Sequence, residues 1–166
     1  MENTAATPGS PTASRVETAN IVLPGLTNVH GTIFGGILLE WIDLAAAIAA
    51  GRHAGSAVVT AAMDRVHFLR PVRLGALVVI QAQVNFVAHT SMEVGVRVFV
   101  EDLRTKERHQ TTRAYVTMVA VDDAGKPTHV QPLILESDED RRRHAAAEQR
   151  RAVRLSERRT IEEKHG

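Results

Sequence analysis

Residues 28–43 read NVHGTIFGGILLEWID. Two adjacent glycines, Gly35 and Gly36, open a segment that runs from Phe34 to Ala50 with only Glu40 and Asp43 charged, and Gly51 bounds it on the far side. The rest is Gly, Ile, Leu, Trp and Ala, residues that predict a helix between glycine boundaries. A helix apolar nearly all round is buried on nearly all sides. A single sheet covers one side of such a helix. No later segment before the C-terminal tail supplies another apolar helix, so the simplest second cover is a partner subunit.

Downstream the pattern changes period. Ala57 to Phe68 reads as a strand that Arg70-Pro71 ends, since proline disfavours continued pairing. Leu77 to Ala88 alternates with its even positions facing a core. After the tight connection His89-Thr90, Ser91 to Glu101 alternates strictly through Met92, Val94, Val96, Val98 and Val100. Leu103 to Arg108 is a charged turn, and Thr111 to Val121 is a fourth long strand closed by the turn Asp122 to Pro127. A segment from Val16 to Leu23 supplies a candidate edge strand. One buried helix followed by long strands with short connections favours an antiparallel sheet, hence an α+β class.

The chain has 166 residues, which suits one domain. Its 20 Lys plus Arg against 19 Asp plus Glu leave no global field for nucleic acid or an anionic membrane. Cysteine is absent, which removes disulfides, thiolate nucleophiles and Cys-based zinc sites, and the histidines show no metal-ligand spacing. No metal is expected. Residues 1–15, rich in Ala, Ser, Thr and Pro, read as a disordered leader without a secretory signal. No apolar run approaches the roughly 20 residues of a membrane span, so a soluble, cytoplasmic protein is expected. Residues 16–135 form the folded domain. From Glu136 onward 17 of 31 residues are charged, and residues 136–166 read as a solvated helix or tail; a sharper reading lets Arg141, Arg142 and Arg143 help hold a phosphorylated ligand.

The opening stretch also carries chemistry. A helix N-terminus exposes free N–H groups at the positive end of its dipole, and glycines there let a ligand atom approach, so Gly35-Gly36 can stabilise a carbonyl oxygen that becomes negative. Close packing of helix on strand is the ordinary use of such a pair. Asp43 is a carboxylate in an apolar helix, which must be paired, exposed or functional. It lies on nearly the same face as Gly36 but about 10 Å further along. A general base there therefore needs the glycines of another subunit, as a two-fold pair of antiparallel helices permits. Asn28 offers an amide to a water or a carbonyl, or serves as a turn residue. His30, with nothing acidic beside it, is read as a loop histidine. No G-x-S-x-G elbow or Ser/His pair supports a serine nucleophile.

These residues carry a resemblance. Asn28, Gly31, Phe34-Gly35-Gly36 and the segment ending in Asp43 look like the N-x-x-G-x-x-F-G-G-x-x-x-x-x-x-D signature of hot-dog fold acyl-CoA thioesterases, the brain-type and YciA-like acyl-CoA hydrolases. Phe68-Leu69-Arg70-Pro71-Val72, His89-Thr90-Ser91 and Gly125-Lys126-Pro127 resemble further motifs of that family, in the same order, over about Val16 to Pro132. The resemblance implies a hot-dog fold, with a long helix wrapped by an antiparallel sheet of about five strands, dimerising through sheet and helix. It implies hydrolysis of acyl-CoA to free coenzyme A and a carboxylic acid, with no separate cofactor because coenzyme A is part of substrate and product. Carried over, Asp43 is the general base, Asn28 of the other subunit positions water or thioester, and the Gly36 N–H polarises the carbonyl. Phe34, Gly31 and Gly35 line the oxyanion and substrate side, while Arg70, Thr90, Ser91, Lys126 and Arg113 are coenzyme A candidates. Many relatives carry an acid where this chain has Leu26. A homodimer is the minimum assembly, with tetramer and trimer of dimers open. The rivals are a hot-dog dehydratase or hydratase, which needs a helix histidine absent between Phe34 and Ala50, and a non-catalytic acyl-CoA sensor.

Overall fold

The computed structural model describes residues 6–64 and 66–165, with side chains through residue 160. The elements are α1 (Pro11–Ser14), β1 (Val16–Ile21), α2 (Gly35–Ala54), β2 (Ala57–Met63), β3 (His67–Phe68), β4 (Leu77–Val87), β5 (Ser91–Glu101), β6 (Arg108–Val121) and α3 (Asp138–His165). The strands form one sheet in the order β1-β4-β5-β6-β2, with β3 paired to β6, and every pairing is antiparallel. The α+β architecture, a curled antiparallel sheet packed on the long helix α2, is the one expected, with α3 as a second long helix.

Alternation along the strands makes two unlike faces. Val78, Ile80, Ala82 and Val84 of β4, Met92, Val94, Val96 and Val98 of β5, and Ala114, Val116, Met118 and Ala120 of β6 are each at most 2 % exposed. They form one core with Leu38, Ile42, Ala45, Ala46 and Ala49 of α2. Fully burying a Leu or Ile side chain contributes about 1.5–3 kcal/mol, so this helix face is anchored to the sheet.

α2 runs past the expected boundary. Gly51 lies inside it, and the helix ends at Ala54, where Gly55 at φ 65° takes the left-handed conformation that closes a helix. Among the described residues nothing covers its other side: Leu44 is 55 % and Ile48 44 % exposed. The demand for a second cover is therefore still open in the single chain.

The predicted strand from Ala57 to Phe68 is two strands. β2 stops at Met63, the Asp64 N–H turns to the Tyr115 carbonyl at 2.9 Å, and β3 resumes the pairing with β6. A bulge between Thr60 and Ala62 starts that departure. β6 begins at Arg108 rather than Thr111, which shortens the charged turn before it.

Two terminal expectations are corrected. Within the leader, residues 6–15 are ordered: α1 packs on β4, and the buried Ser14 Oγ accepts the Val84 N–H at 2.9 Å. A run poor in apolar residues found order because its serine supplies a side-chain acceptor for a backbone N–H of β4; residues 1–5 lie outside the described residues. The charged tail is α3, docked on the sheet face opposite α2. Its Arg150 binds both oxygens of Glu93, a residue 1 % exposed on β5, and Arg154 bridges Glu93 and Asp64. Ala147 is fully buried, and Arg150 lies over the Tyr115 ring at 3.7 Å. Ion pairs and small residues seat this helix where an apolar stripe was sought and not found. Among the described residues no helix is long and apolar enough to cross a membrane.

Candidate active site

Among the described residues Asp43 meets one hydrogen-bond partner. Its Oδ1 accepts a hydrogen bond from Thr60 Oγ1 at 2.7 Å, and Thr60 Oγ1 also lies 3.5 Å from Met118 Sδ. The bulge that follows Thr60 on β2 re-aims the strand at this point, as bulges beside functional residues do. Asp43 is half-buried and Thr60 exposed, so the carboxylate is tethered on one oxygen while solvent can reach the couple. Sequence reasoning missed Thr60. A threonine in the apolar strand AVVTAAM is ordinary strand composition, and only the bulge and the helix crossing give it a role.

The helix N-terminus forms a second locus. Phe34 is the N-cap and uses no side chain; its carbonyl accepts the Ile37 and Leu38 N–H groups. Gly35 and Gly36 occupy the first two helical positions, whose N–H groups have no intrahelical acceptor. A Cβ on Gly36 would meet nothing within 4 Å, and one on Gly35 would meet only Phe68 Cζ at 3.7 Å. The pair is therefore not explained by tight packing. Beside it lies a cleft of about 360 Å³ lined by Thr32, Gly35, Leu38, Phe68, Arg70 and Val72 among others.

Asn28 is committed within its own loop. Its Oδ1 accepts the His30 N–H at 2.9 Å, its Nδ2 donates to Thr32 Oγ1 at 3.0 Å, and its carbonyl accepts the Gly31 N–H. Gly31 sits at φ 70°, which this turn requires and most residues resist. The loop ties the carboxamide to Thr32, three residues before Gly35 in sequence; within the chain no hydrogen bond among the described residues joins it to Asp43. His30 is exposed in the same loop. Leu26 packs against the core, and its carbonyl accepts the Phe34 N–H at 3.0 Å, so an apolar anchor stands where an acid was noted in relatives.

The other residues sort to the two ends of the sheet. Leu69, next to Arg70, bonds to Thr111 near the start of β6, whereas the Thr90 carbonyl accepts the N–H of Ala120 near its end. Nine residues of strand put those ends about 30 Å apart. Ser91 pairs with Val119, one position from Met118, which faces Thr60. Lys126 closes the turn after β6, its N–H on Asp122 Oδ1 at 2.9 Å. Asp43, Thr60, Thr90, Ser91 and Lys126 thus belong to one end, and Gly35, Gly36, Phe68 and Arg70 to the other. Arg113 lies at the Arg70 end, paired with His67, but on the other face: it alternates with the buried Thr112 and Ala114 and lines a pocket on the opposite side of the sheet.

The sequence profile of the thioesterase superfamily matches residues 30–107. An uncharacterized acyl-CoA thioester hydrolase of Bacillus subtilis is 40 % identical over 146 residues, which span 88 % of this chain and 85 % of that protein.

The chain belongs to the acyl-CoA thioester hydrolases.

Mouse acyl-coenzyme A thioesterase 11 is 38 % identical over 142 residues, 86 % of this chain but only 24 % of that longer protein. Among solved structures, the acyl-CoA hydrolase of Staphylococcus aureus in complex with butyryl coenzyme A, coenzyme A and coenzyme A disulfide superposes with a TM-score of 0.84 at 37 % identity, covering 95 % of this chain and 98 % of that one. An apo-hexameric acyl-CoA thioesterase superposes at 0.85 with 41 % identity, covering 89 % and 95 %. Solved forms of the Staphylococcus enzyme include alanine variants of an aspartate, an asparagine and a threonine.

Proposed function

We propose that this acyl-CoA thioester hydrolase works through composite sites, each built from Asp43 and Thr60 of one subunit and the Gly35-Gly36 terminus and Asn28 loop of another. Asp43 takes a proton from water, the oxygen attacks the thioester carbonyl carbon, and the oxyanion forms against the Gly36 N–H, with Gly35, Gly31 and Phe34 shaping that side. Collapse breaks the carbon–sulfur bond, and the departing thiolate takes the proton back from Asp43, leaving coenzyme A and the carboxylic acid. Thr60 holds the base; Asn28 positions water or the thioester.

The separation along α2 carries this reading. Gly36 and Asp43 lie on one helix face about 10 Å apart, too far for one bound carbonyl to meet both. A two-fold axis across the exposed side of α2, near Leu44 and Ile48, and the unpaired edge of β2 turns one end of the sheet onto the other. Arg70 of one subunit then falls beside Thr90, Ser91 and Lys126 of its partner, a polar path suited to coenzyme A. The minimum assembly is a homodimer, a unit compatible with a trimer of dimers, and the cytoplasm is the compartment proposed.

Thiol release from a panel of acyl-CoA esters, measured for wild type and Asp43→Ala, tests the assignment. Turnover in wild type that Asp43→Ala abolishes while coenzyme A still binds supports it. Undiminished turnover by Asp43→Ala overturns the general-base role, and no turnover by wild type on any chain length overturns the hydrolase reading.

A further inference from the structure

The sheet face opposite α2 holds a pocket the proposed reaction does not use. It encloses about 320 Å³ between α3 and strands β4, β5 and β6, and six arginines face one carboxylate in its lining: Arg15, Arg97, Arg113, Arg142, Arg143 and Arg150 against Glu139. Arg150 is neutralised by Glu93, and Arg143 binds Glu139. Among the described residues the Arg15 guanidinium reaches only the neutral Gln83 Oε1, at 3.1 Å.

Arg97 and Arg113 stand directly opposite each other on β5 and β6. Like charges at that register destabilise a sheet. Burial lowers the pKa of Arg97, and the charges of Arg143, Arg113 and Arg15 push it the same way, with only Glu139 opposing. The chain thus crowds repelling guanidinium groups round this pocket, Arg97, Arg143 and Arg150 half-buried and Arg15, Arg113 and Arg142 exposed at its rim, at a cost to its own stability.

The floor is built as carefully as the walls. Gln83 and Asn85 are 7 % and 5 % exposed, amides buried beneath the arginines. Gly95 beside them makes room: a Cβ there would come within 2.2 Å of Asn85 Nδ2. A side chain at that position would displace the amide from the floor.

We propose that this pocket binds a small polyphosphate anion, one with at least two linked phosphoryl groups, on the face of the sheet opposite Asp43 and Thr60. Guanidinium groups bind phosphoryl oxygens in bidentate fashion, and arginines arriving from α3, from the sheet and from the segment after α1 can each take a different oxygen. A single carboxylate would leave most of the excess charge uncompensated. The volume falls in the range of small-ligand sites, and a pocket roofed by a helix does not admit a duplex. The ligand also joins α3 to the sheet, so binding stabilises the fold. Such groups occur in a nucleoside triphosphate and in coenzyme A, and the two sources are separable.

The test is calorimetric titration of the full chain with sodium tripolyphosphate, alongside thermal melts, with sulfate at matched ionic strength as control. Wild type binds tripolyphosphate and melts higher with it. Arg97→Gln and Arg142→Gln each weaken binding by about tenfold or more, the loss of a hydrogen bond to a charged group. Arg97→Gln without ligand melts at or above the wild-type temperature, because one repelling charge is gone; that melt also shows the variant folds. Displacement of tripolyphosphate by a nucleoside triphosphate, or by free coenzyme A, upholds the site and names its source. No binding by wild type, an equal melt shift with sulfate, or undiminished binding by both variants overturns the proposal.

Discussion

Replacing Thr60 by valine removes one hydroxyl and almost no volume. The bond it deletes is short, 2.7 Å, and its acceptor is Asp43 Oδ1. Hydrogen bonds to charged groups are worth about 1.5–3 kcal/mol net, and exposure of Thr60 lets water replace part of the loss, so the lower end applies. At about 1.4 kcal/mol per decade, kcat falls about tenfold. KM should hardly move, since Thr60 positions the base and touches no part of the ligand in the proposed site. Thr60→Ser restores the donor and should recover most of the rate. Steady-state thiol release for the three proteins reads this directly. If valine leaves kcat within about twofold, or serine is as slow as valine, the hydroxyl does not orient the base and the reasoning fails.

Other perturbations separate assembly from folding. Co-expressed Asn28→Ala and Asp43→Ala chains should recover about a quarter of wild-type turnover through mixed dimers with one intact site, while each variant alone stays inactive; mixtures as dead as the parents would place both residues in one subunit's site. Glu93→Ala leaves Arg150 without its carboxylate, though Arg154 keeps Asp64, so chemical denaturation should show a loss of about 3 kcal/mol, with α3 amides exchanging faster. Unchanged stability would mean that the pair does not seat the helix. The carboxyl of Glu17 is held below its usual range by hydrogen bonds from Arg108 and then Gln81. Its contribution is therefore present above the unfolded value near 4.5 and is lost as pH falls through the lower folded value. Glu17→Gln should lower stability at neutral pH, where the wild-type carboxylate is ionised, and flatten that part of the acid limb of a stability–pH curve, so that the two proteins converge as pH falls.

Much of the fold was legible because its signals are local. Strict alternation from Ser91 to Glu101 is β5 to the residue, and the apolar run after Gly35 is α2. Gly51 misled because a glycine inside a helix costs only about 1 kcal/mol, which burial on the sheet outweighs. The break between β2 and β3 left no mark in composition, since a bulge is a matter of register with β6 rather than of residue type. In the same way the tail carried no apolar stripe, and its docking rests on Glu93, a residue more than fifty positions away in the chain.

The site divides along the same line. The residues of NVHGTIFGGILLEWID determined that a glycine-opened helix end and a lone carboxylate would exist, on one face and about 10 Å apart, because helical geometry follows from sequence spacing alone. Only the tertiary structure decided that Thr60 tethers Asp43, that Arg70 and Lys126 sit at opposite ends of the sheet, and that Arg113 turns away into a pocket it shares with five other arginines between the sheet and α3. Those relations depend on which strands pair and in which register, and pairing is settled by burial across the whole sheet rather than by any stretch read on its own.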